Sequence, residues 1–104
     1  MWAVYQTTEF EKDFRRLPDY EQQRVRKIVA QLQANPFTGK PLGYRFFREK
    51  KFDGRRLYFL VYEAAVIVLL VALSGKKDQP ATIDSVKAAF KEYREEISKL
   101  PAFK

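Results

Sequence analysis

The sequence contains no cysteine and no histidine. Without cysteine, the chain has no disulfide, no thiol nucleophile and no thiolate metal ligand. Without histidine, it lacks the commonest general base and the commonest nitrogen ligand for metals. Walker-type phosphate loops, zinc-ligand spacings and nucleophile elbows are also absent from it. Any chemistry must therefore use Lys, Arg, Tyr, Ser, Thr or carboxylate side chains, and we expect neither a metal nor a small-molecule cofactor.

Long hydrophobic runs are missing as well. The most hydrophobic run, AAVIVLLVAL at residues 64–73, is about half the length that crosses a bilayer. The first residues do not follow the basic-then-apolar pattern of a signal peptide. We therefore expect a cytoplasmic protein without membrane contact. With 104 residues, 46% of them hydrophobic, the chain can form one core, and we expect a single domain over residues 1–104.

The formal net charge is +7, and most of it comes from one segment. Residues 40–56 carry seven Lys or Arg and two Asp or Glu, a net charge of +5. A concentrated basic segment indicates a polyanionic partner, and nucleic acid is favoured over a membrane surface. The alternative is that the charge only keeps the protein in solution.

The N-terminal part of the chain predicts one strand and two helices. Residues 2–7 alternate as a short strand does. Thr8 followed by Glu11 matches a capping box for a first helix, which Pro18 ends, and Asp19 can cap the second. Each helix has one apolar stripe at helical spacing: Phe10, Phe14 and Leu17 in the first, and Val25, Ile28, Val29 and Leu32 in the second.

The remainder predicts three strands and a last helix. Residues 34–43 contain two Pro and two Gly, which is typical of a loop. Strands are predicted at residues 44–50, 55–62 and 65–74, joined by connections short enough for hairpins. Thr82 or Asp84 can cap a helix that ends at Pro101 and carries the stripe Val86, Phe90, Tyr93 and Ile97.

The predicted fold class is α+β, with the element order β-α-α-β-β-β-α. The three consecutive strands form an antiparallel sheet, and the first strand joins it at one side. The third strand, with little polar alternation, is expected at the centre of the sheet, buried on both faces. The N-terminal helical hairpin covers one face, so that we expect the other face to be more open.

Alternation along residues 55–62 divides that strand into two faces. The apolar residues Leu57, Phe59 and Val61 belong against the helices, which leaves Arg56 and Tyr58 on the opposite face. The preceding strand also presents arginine beside aromatic residues in either register. Interleaved cations and rings are suited to single-stranded RNA, because cations neutralise phosphates and rings stack on bases. The alternative is that these aromatic residues are core residues beneath the last helix.

Lys76 and Lys77 follow the most hydrophobic strand directly, one strand away from Arg56 in the predicted meander. They are either the solvated end of that strand or cations that converge with Arg56 on a phosphate. The carboxylates of Glu49 and Asp53 lie inside the basic segment. We interpret them as salt-bridge partners rather than as catalytic groups.

The chain resembles the RelE/ParE superfamily of toxins from type II toxin–antitoxin modules. The resemblance lies in the segments FEKDFRRLP, RVRKIVAQLQANPFTGKPL and GRRLYFLVYEAAVIVLLVALSGKK, and in their order. Their most specific part is a Gly-x-Arg strand followed by an apolar strand that ends in Gly and a basic pair. The tail KKDQPATIDSVKAAFKEYREE is similar to the HigB branch.

The resemblance implies a metal-independent endoribonuclease that cuts mRNA in the ribosomal A site, with mRNA, the ribosome and a cognate antitoxin as partners. In such toxins Lys and Arg orient the scissile phosphate and stabilise charge as the 2′-hydroxyl attacks. By motif position and region, the catalytic candidates are Arg56, Lys77, Lys76 and Arg48. The RNA-binding candidates are Arg45, Lys50, Lys51, Arg55, Tyr58 and Tyr44.

Two features depart from the pattern. RelE has a tyrosine shortly after the basic pair, where this chain has Ile83, and HigB-type members often use histidine. The alternatives are therefore a ParE-like inhibitor of DNA gyrase, or a non-catalytic homologue that binds RNA or antitoxin only.

Overall fold

The structure is a computed structural model, and it describes residues 1–100 of the chain. The helical hairpin comprises α1 (Thr8–Arg15) and α2 (Asp19–Ala34), and the C-terminal part comprises α3 (Gln79–Ala88) and α4 (Phe90–Ser98). The strands are β1 (Ala3–Gln6), β2 (Lys40–Tyr44), β3 (Phe47–Phe52), β4 (Arg55–Tyr62) and β5 (Ile67–Gly75). The predicted end of the last helix at Pro101 lies outside the described residues.

The five strands form one sheet in the order β1-β5-β4-β3-β2. The predicted α+β class and the meander of three consecutive strands are confirmed. The sheet is mixed, however, because β1 pairs parallel to β5, starting at Ala3 and Ile67. The first strand joins the sheet at one side, as predicted, but the direction of this pairing was not predicted.

Strand β2 was not predicted, because Pro41 and Gly43 indicated a loop. It is the edge strand of the sheet, and its pairing with β3 is irregular between Pro41 and Tyr44. Proline is tolerated at an edge because its missing N–H breaks no ladder there. As a result, residues 45 and 46 form the β2–β3 turn, and the strand predicted from residue 44 starts at Phe47.

Helix starts differ slightly from the prediction. Thr7 rather than Thr8 is the N-cap of α1, and its hydroxyl accepts a hydrogen bond from the Phe10 N–H at 3.0 Å. Pro18 precedes the first residue of α2, so that Asp19 lies in the first helical turn. There its negative charge complements the positive end of the helix dipole.

The face of the sheet beneath α1 and α2 holds the larger core. Leu57, Phe59 and Val61 of β4 pack there, as their alternation predicted. The helical residues of this core are Phe10, Leu17, Val25, Ile28 and Leu32. Every one of these side chains is buried, so the hydrophobic effect holds the hairpin on this face.

The opposite face is not open, and that expectation was wrong. A second core lies on it, where Tyr58 and Leu60 of β4 pack with Val86 of α3 and Ile97 of α4. The single last helix of the prediction is two helices divided at Ala89, which lets both cover the sheet. Within residues 1–100, no helix is both long enough and apolar enough to span a membrane.

Candidate functional site

Four basic residues lie at one end of the sheet. Arg56 of β4 lies opposite Lys51 on β3 and opposite Ser74 on β5. Lys76 and Lys77 follow Gly75, the last residue of β5. The predicted proximity of the two lysines to the Arg56 strand is therefore confirmed. We call Lys51, Arg56, Lys76 and Lys77 the basic end.

The register of the basic end depends on a tight turn. Asp53 and Gly54 connect β3 to β4, with φ values of 46° and 76°. Two successive residues with positive φ are typical of the hairpin turns that match the twist of paired strands. This two-residue turn places Lys51 directly across from Arg56.

The lysines of the basic end are exposed, whereas Arg56 is only 7% exposed. Lys51, Lys76 and Lys77 form no ion pair with any residue in the part of the chain that the structure describes. Their charges are therefore available to an external anion. Arg56 instead lies beside Glu49, whose carboxylate Oε2 is 3.8 Å from the arginine Nε.

A buried polar cluster lies beneath the basic end. The Tyr58 hydroxyl and Ser74 Oγ are 2.8 Å apart, and the serine hydroxyl donates to the Gly75 carbonyl at 3.0 Å. Because serine has one proton to donate, Tyr58 must be the donor to Ser74. Gln79, at the start of α3, donates to Glu49 Oε1 at 2.8 Å.

Tyr58 cannot stack on a base, because its side chain is fully buried in the second core. Its assignment to an exposed RNA-binding surface was wrong, since the C-terminal helices cover the face that it occupies. Burial raises the pKa of Tyr58. At neutral pH the hydroxyl is therefore a proton donor within the fold and not a base.

Arg48 belongs to a different part of the molecule from Arg56. It pairs with Phe59, whose side chain packs beneath the helical hairpin, so the two arginines lie on opposite faces of the sheet. The Arg48 guanidinium donates to the carbonyl oxygens of Arg45, Phe37 and Gly39 at 3.1, 3.1 and 2.7 Å. Burial, followed by the nearby charge of Arg45, lowers its pKa.

Arg48 therefore fastens the segment before β2 to the sheet. This segment approaches β3 closely, because a Cβ atom on Gly39 would lie 2.5 Å from the Glu49 carbonyl oxygen. Arg48 therefore does not lie with the other catalytic candidates, Arg56, Lys76 and Lys77, at the basic end. The sequence did not predict this role, because the carbonyl acceptors come from a 3-10 helix, its C-cap and the β2–β3 turn, and these share no recognisable motif.

Two further candidates lie on the hairpin side of the sheet. Arg55 forms an ion pair with the buried Glu21 of α2, with a distance of 2.7 Å between Nε and Oε2. Lys50 pairs with Leu57 and shares its face. Both residues are near the basic end in sequence, but they face α1 and α2 rather than the side of Arg56.

Tyr44 and Arg45 lie at the other end of the sheet. Arg45 is 3.0 Å from Glu63 and its guanidinium is 4.0 Å from the centre of the Phe37 ring. The length of β3, about 16 Å at roughly 3.3 Å per residue, separates this end from the basic end. A single nucleotide cannot contact both ends.

An apolar groove of about 450 Å³ lies at this end of the sheet. Tyr44 contacts two of its lining residues, Phe46 and Phe90, and Arg45 contacts a third, Glu63. Phe46, Leu60, Tyr62 and Phe90 form its apolar wall, and Lys91 and Arg94 of α4 add positive charge. Burial raises the pKa of Tyr62 to about 12. No local sequence pattern indicates this groove, because α4 and the residues after β4 form it only when they pack together.

No group of three or more potential metal ligands of the His, Cys, Asp or Glu type occurs within residues 1–100. The arrangement at the basic end is suited to holding a phosphate by charge and by hydrogen bonds from guanidinium and ammonium groups. Ser74 and Gln79 are the site residues that the sequence did not single out. Their only signal was position, at the end of β5 and at the start of α3.

No family model matches the chain, and no curated protein matches its sequence significantly. Solved structures do match its fold. The isolated E. coli RelE toxin is 17% identical, with a TM-score of 0.67, and the match covers 86% of this chain and 100% of that one. A chain of the intact E. coli RelBE toxin–antitoxin complex is 18% identical, with a TM-score of 0.67 over 72% of this chain and 96% of that one.

A third match comes from another organism. The toxin–antitoxin complex RelBE2 from Mycobacterium tuberculosis contains a chain 20% identical to this one, with a TM-score of 0.64. The match covers 72% of this chain and 98% of that one. The strand order, the helical hairpin and these superpositions agree, and the chain has the fold of the RelE toxins.

Proposed function

We propose that this protein is the toxin of a type II toxin–antitoxin module, and that it inhibits translation by cleaving mRNA on the ribosome. The observation that carries the proposal is the basic end, where Arg56 lies one strand from Lys76 and Lys77. The fold shared with RelE toxins supports it.

The chemistry that fits this site is phosphoryl transfer within the RNA strand. The 2′-oxygen of one nucleotide attacks the adjacent phosphorus, and the 5′-oxygen of the next nucleotide leaves. This step gives a 2′,3′-cyclic phosphate and a free 5′-hydroxyl, with the 2′ proton released and one proton taken up by the leaving oxygen. Negative charge grows on the phosphate oxygens in the transition state, where Arg56 and Lys77 stabilise it. Lys51 and Lys76 hold the neighbouring phosphates.

Primer extension on ribosome-bound mRNA tests the proposal. We expect cuts at defined positions within codons, and we expect Arg56→Ala to abolish them while Arg26→Ala, which removes an exposed arginine from α2, leaves them intact. Intact mRNA with the wild-type protein would contradict the proposal.

One observation favours a second candidate. Ile83, half-buried against the second core, occupies the position where the RelE resemblance calls for a tyrosine. A toxin that does not cleave RNA, such as a ParE-like inhibitor of DNA gyrase, does not need that residue. Blocked supercoiling by gyrase together with intact mRNA would identify this activity.

The proposed module also requires an antitoxin, and the apolar groove is suited to bind part of it. The groove combines an apolar wall with the cations Lys91 and Arg94, so it fits an amphipathic segment with acidic residues. Co-expression of the neighbouring open reading frame should restore growth.

A substitution of Ala64, which lines the groove and is exposed, tests whether the antitoxin binds in the groove. Ala64→Lys should weaken antitoxin binding measured by calorimetry, whereas Ala81→Lys, on exposed α3 surface away from the groove, should not. Equal affinities of the two variants would place the antitoxin elsewhere.

A further inference from the structure

Glu49 is a buried carboxylate, and one of its two oxygens, Oε2, has no hydrogen-bond partner within residues 1–100. It is 1% exposed, and it lies on β3 directly opposite Tyr58. The Tyr58 hydroxyl donates its proton to Ser74 and therefore does not form a hydrogen bond with the Glu49 carboxylate. A buried charge is unfavourable unless it is paired and hydrogen-bonded. Packing alone would be better served here by an apolar residue.

The charged neighbour of Glu49 is Arg56. Glu49 Oε2 and Arg56 Nε lie 3.8 Å apart, which is longer than a hydrogen bond, and neither atom has another hydrogen-bond partner. Among residues 1–100, Arg56 is the only cation within salt-bridge distance of this carboxylate. Two buried and otherwise unpartnered atoms thus face one another.

Glu49 faces the Nε side of the Arg56 guanidinium, and this determines which N–H donors remain for a ligand. Arginine has five N–H donors in a planar fork, one on Nε and four on the two terminal nitrogens. A carboxylate at the Nε side leaves the terminal nitrogens for a second anion. Bidentate donation from this fork to a phosphate requires that the plane of the guanidinium be fixed.

We infer that Glu49 is a positioning residue that fixes the plane of the Arg56 guanidinium, so that its terminal nitrogens face a phosphate of bound RNA. The role in cleavage rests on the function proposed above. Glu49 itself touches no substrate, and its negative charge opposes the attraction of RNA. It therefore improves orientation at the expense of affinity.

Gln79 extends this arrangement to the C-terminal helices. Its side-chain amide donates to Glu49 Oε1 at 2.8 Å and leaves Oε2 directed at Arg56. Because Gln79 is the first residue of α3, the position of this helix sets the position of the carboxylate. The orientation of Arg56 thus depends on its contact with Glu49 and, indirectly, on the contact of Glu49 with Gln79, which lies outside the sheet.

Glu49→Gln tests the inference, because it keeps the shape of the side chain and removes its charge. We would measure single-turnover cleavage of ribosome-bound mRNA over a range of toxin concentrations. The saturating rate should fall about tenfold to a hundredfold, as expected from loss of orientation. The half-saturating concentration should stay the same or decrease, because a repulsive charge has been removed.

Glu92→Gln is the matched control, since it removes one exposed carboxylate from α4 and should leave the saturating rate unchanged. An unchanged rate in Glu49→Gln would overturn the inference. An increase in the half-saturating concentration would overturn it too, because a merely damaged structure binds RNA less well.

A second measurement does not depend on cleavage. The Nε–H signal of Arg56 can be assigned in nitrogen–proton NMR spectra by its loss in Arg56→Lys. Its exchange with water should be at least about tenfold faster in Glu49→Gln than in the wild type, while backbone signals stay in place. Equal exchange rates would refute the positioning role, whereas inactive wild-type protein with the expected difference would refute only the proposed reaction.

Gln79→Ala covers the case in which Glu49→Gln does not fold. This side chain is half-buried at a helix start, so its loss is milder for the fold. We expect the same effects in the same direction, with a smaller decrease in rate and a smaller acceleration of Arg56 exchange. An unchanged rate together with unchanged exchange would contradict the inference.

Discussion

Arg56 and Ser74 lie directly opposite one another in the pairing of β4 with β5. Ser74 also receives the hydrogen bond of the buried Tyr58 hydroxyl, and the free lysines begin two residues later. The proposed phosphate site therefore lies above a buried polar cluster. The exposed lysines and the buried polar cluster beneath them can therefore be tested separately.

Lys77→Ala should lower the saturating cleavage rate about a hundredfold, as expected for loss of one group that stabilises transition-state charge. Lys77 is exposed and forms no ion pair within residues 1–100, so the fold should keep its stability. Single-turnover cleavage and thermal unfolding would be measured together. Lys27→Ala on α2 is the control, and a similar loss of rate in both variants would contradict a specific role.

Tyr58 and Ser74 should be strongly coupled in a double-mutant cycle. Ser74→Ala leaves the Tyr58 hydroxyl buried without an acceptor, which should cost about 1–3 kcal/mol in the free energy of unfolding. When Tyr58→Phe is already present, the same serine change should have a much smaller effect. Urea unfolding of the four proteins measures this, and simple additivity would show that the hydroxyl has another acceptor.

Arg48→Ala should lower the free energy of unfolding by about 2–4 kcal/mol, because three carbonyl oxygens lose a charged donor. Arg48→Lys should restore only part of this, since an ammonium group cannot match the guanidinium fork. Arg45→Ala removes an exposed ion pair with Glu63 and should cost less than about 1 kcal/mol. Urea unfolding would compare the three variants. Equal losses of unfolding free energy for Arg48→Ala and Arg45→Ala would contradict the proposal that Arg48 holds the segment before β2 against the sheet.

Alkaline stability should depend on Tyr62. Its pKa is raised to about 12 in the folded protein, against an ordinary value of about 10. The unfolded chain therefore loses the phenolic proton first, so stability is complete below about pH 10 and decreases as the pH rises toward 12. Tyr62→Phe should unfold at higher pH than the wild type in circular dichroism titrations.

Tyr20→Phe is the control for this titration, because Tyr20 is 63% exposed. It should leave the alkaline midpoint unchanged. If Tyr62→Phe also leaves it unchanged, another group governs unfolding at high pH.

Much of the fold followed from local patterns. The strand at residues 55–62 was predicted with the boundaries that the structure has, because its alternation is regular and tight turns flank it. The edge strand β2 could not be predicted, since Pro41 and Gly43 are unfavourable in a strand and only its edge position makes them acceptable. The parallel pairing of β1 is a long-range contact that no local pattern contains.

The candidate site was predictable in part. Motif position and strand order were sufficient to bring Arg56 near Lys76 and Lys77. They were not sufficient for Arg48 or Tyr58, because alternation separates the two faces of a strand without indicating what covers each face. The covering elements here are a loop for Arg48 and two helices for Tyr58, and both arise from tertiary packing.

The parallel pairing of β1 with β5 has a consequence for how the chain folds. Ala3 finds its partner Ile67 only after nearly all of the sheet has been made. During synthesis the apolar stripes of the helical hairpin stay exposed to solvent until β4 and β5 have been made and can pack against them. We therefore expect slow, late folding, with an incomplete chain that is prone to aggregation and degradation. A protein of this topology would function only once its chain is complete.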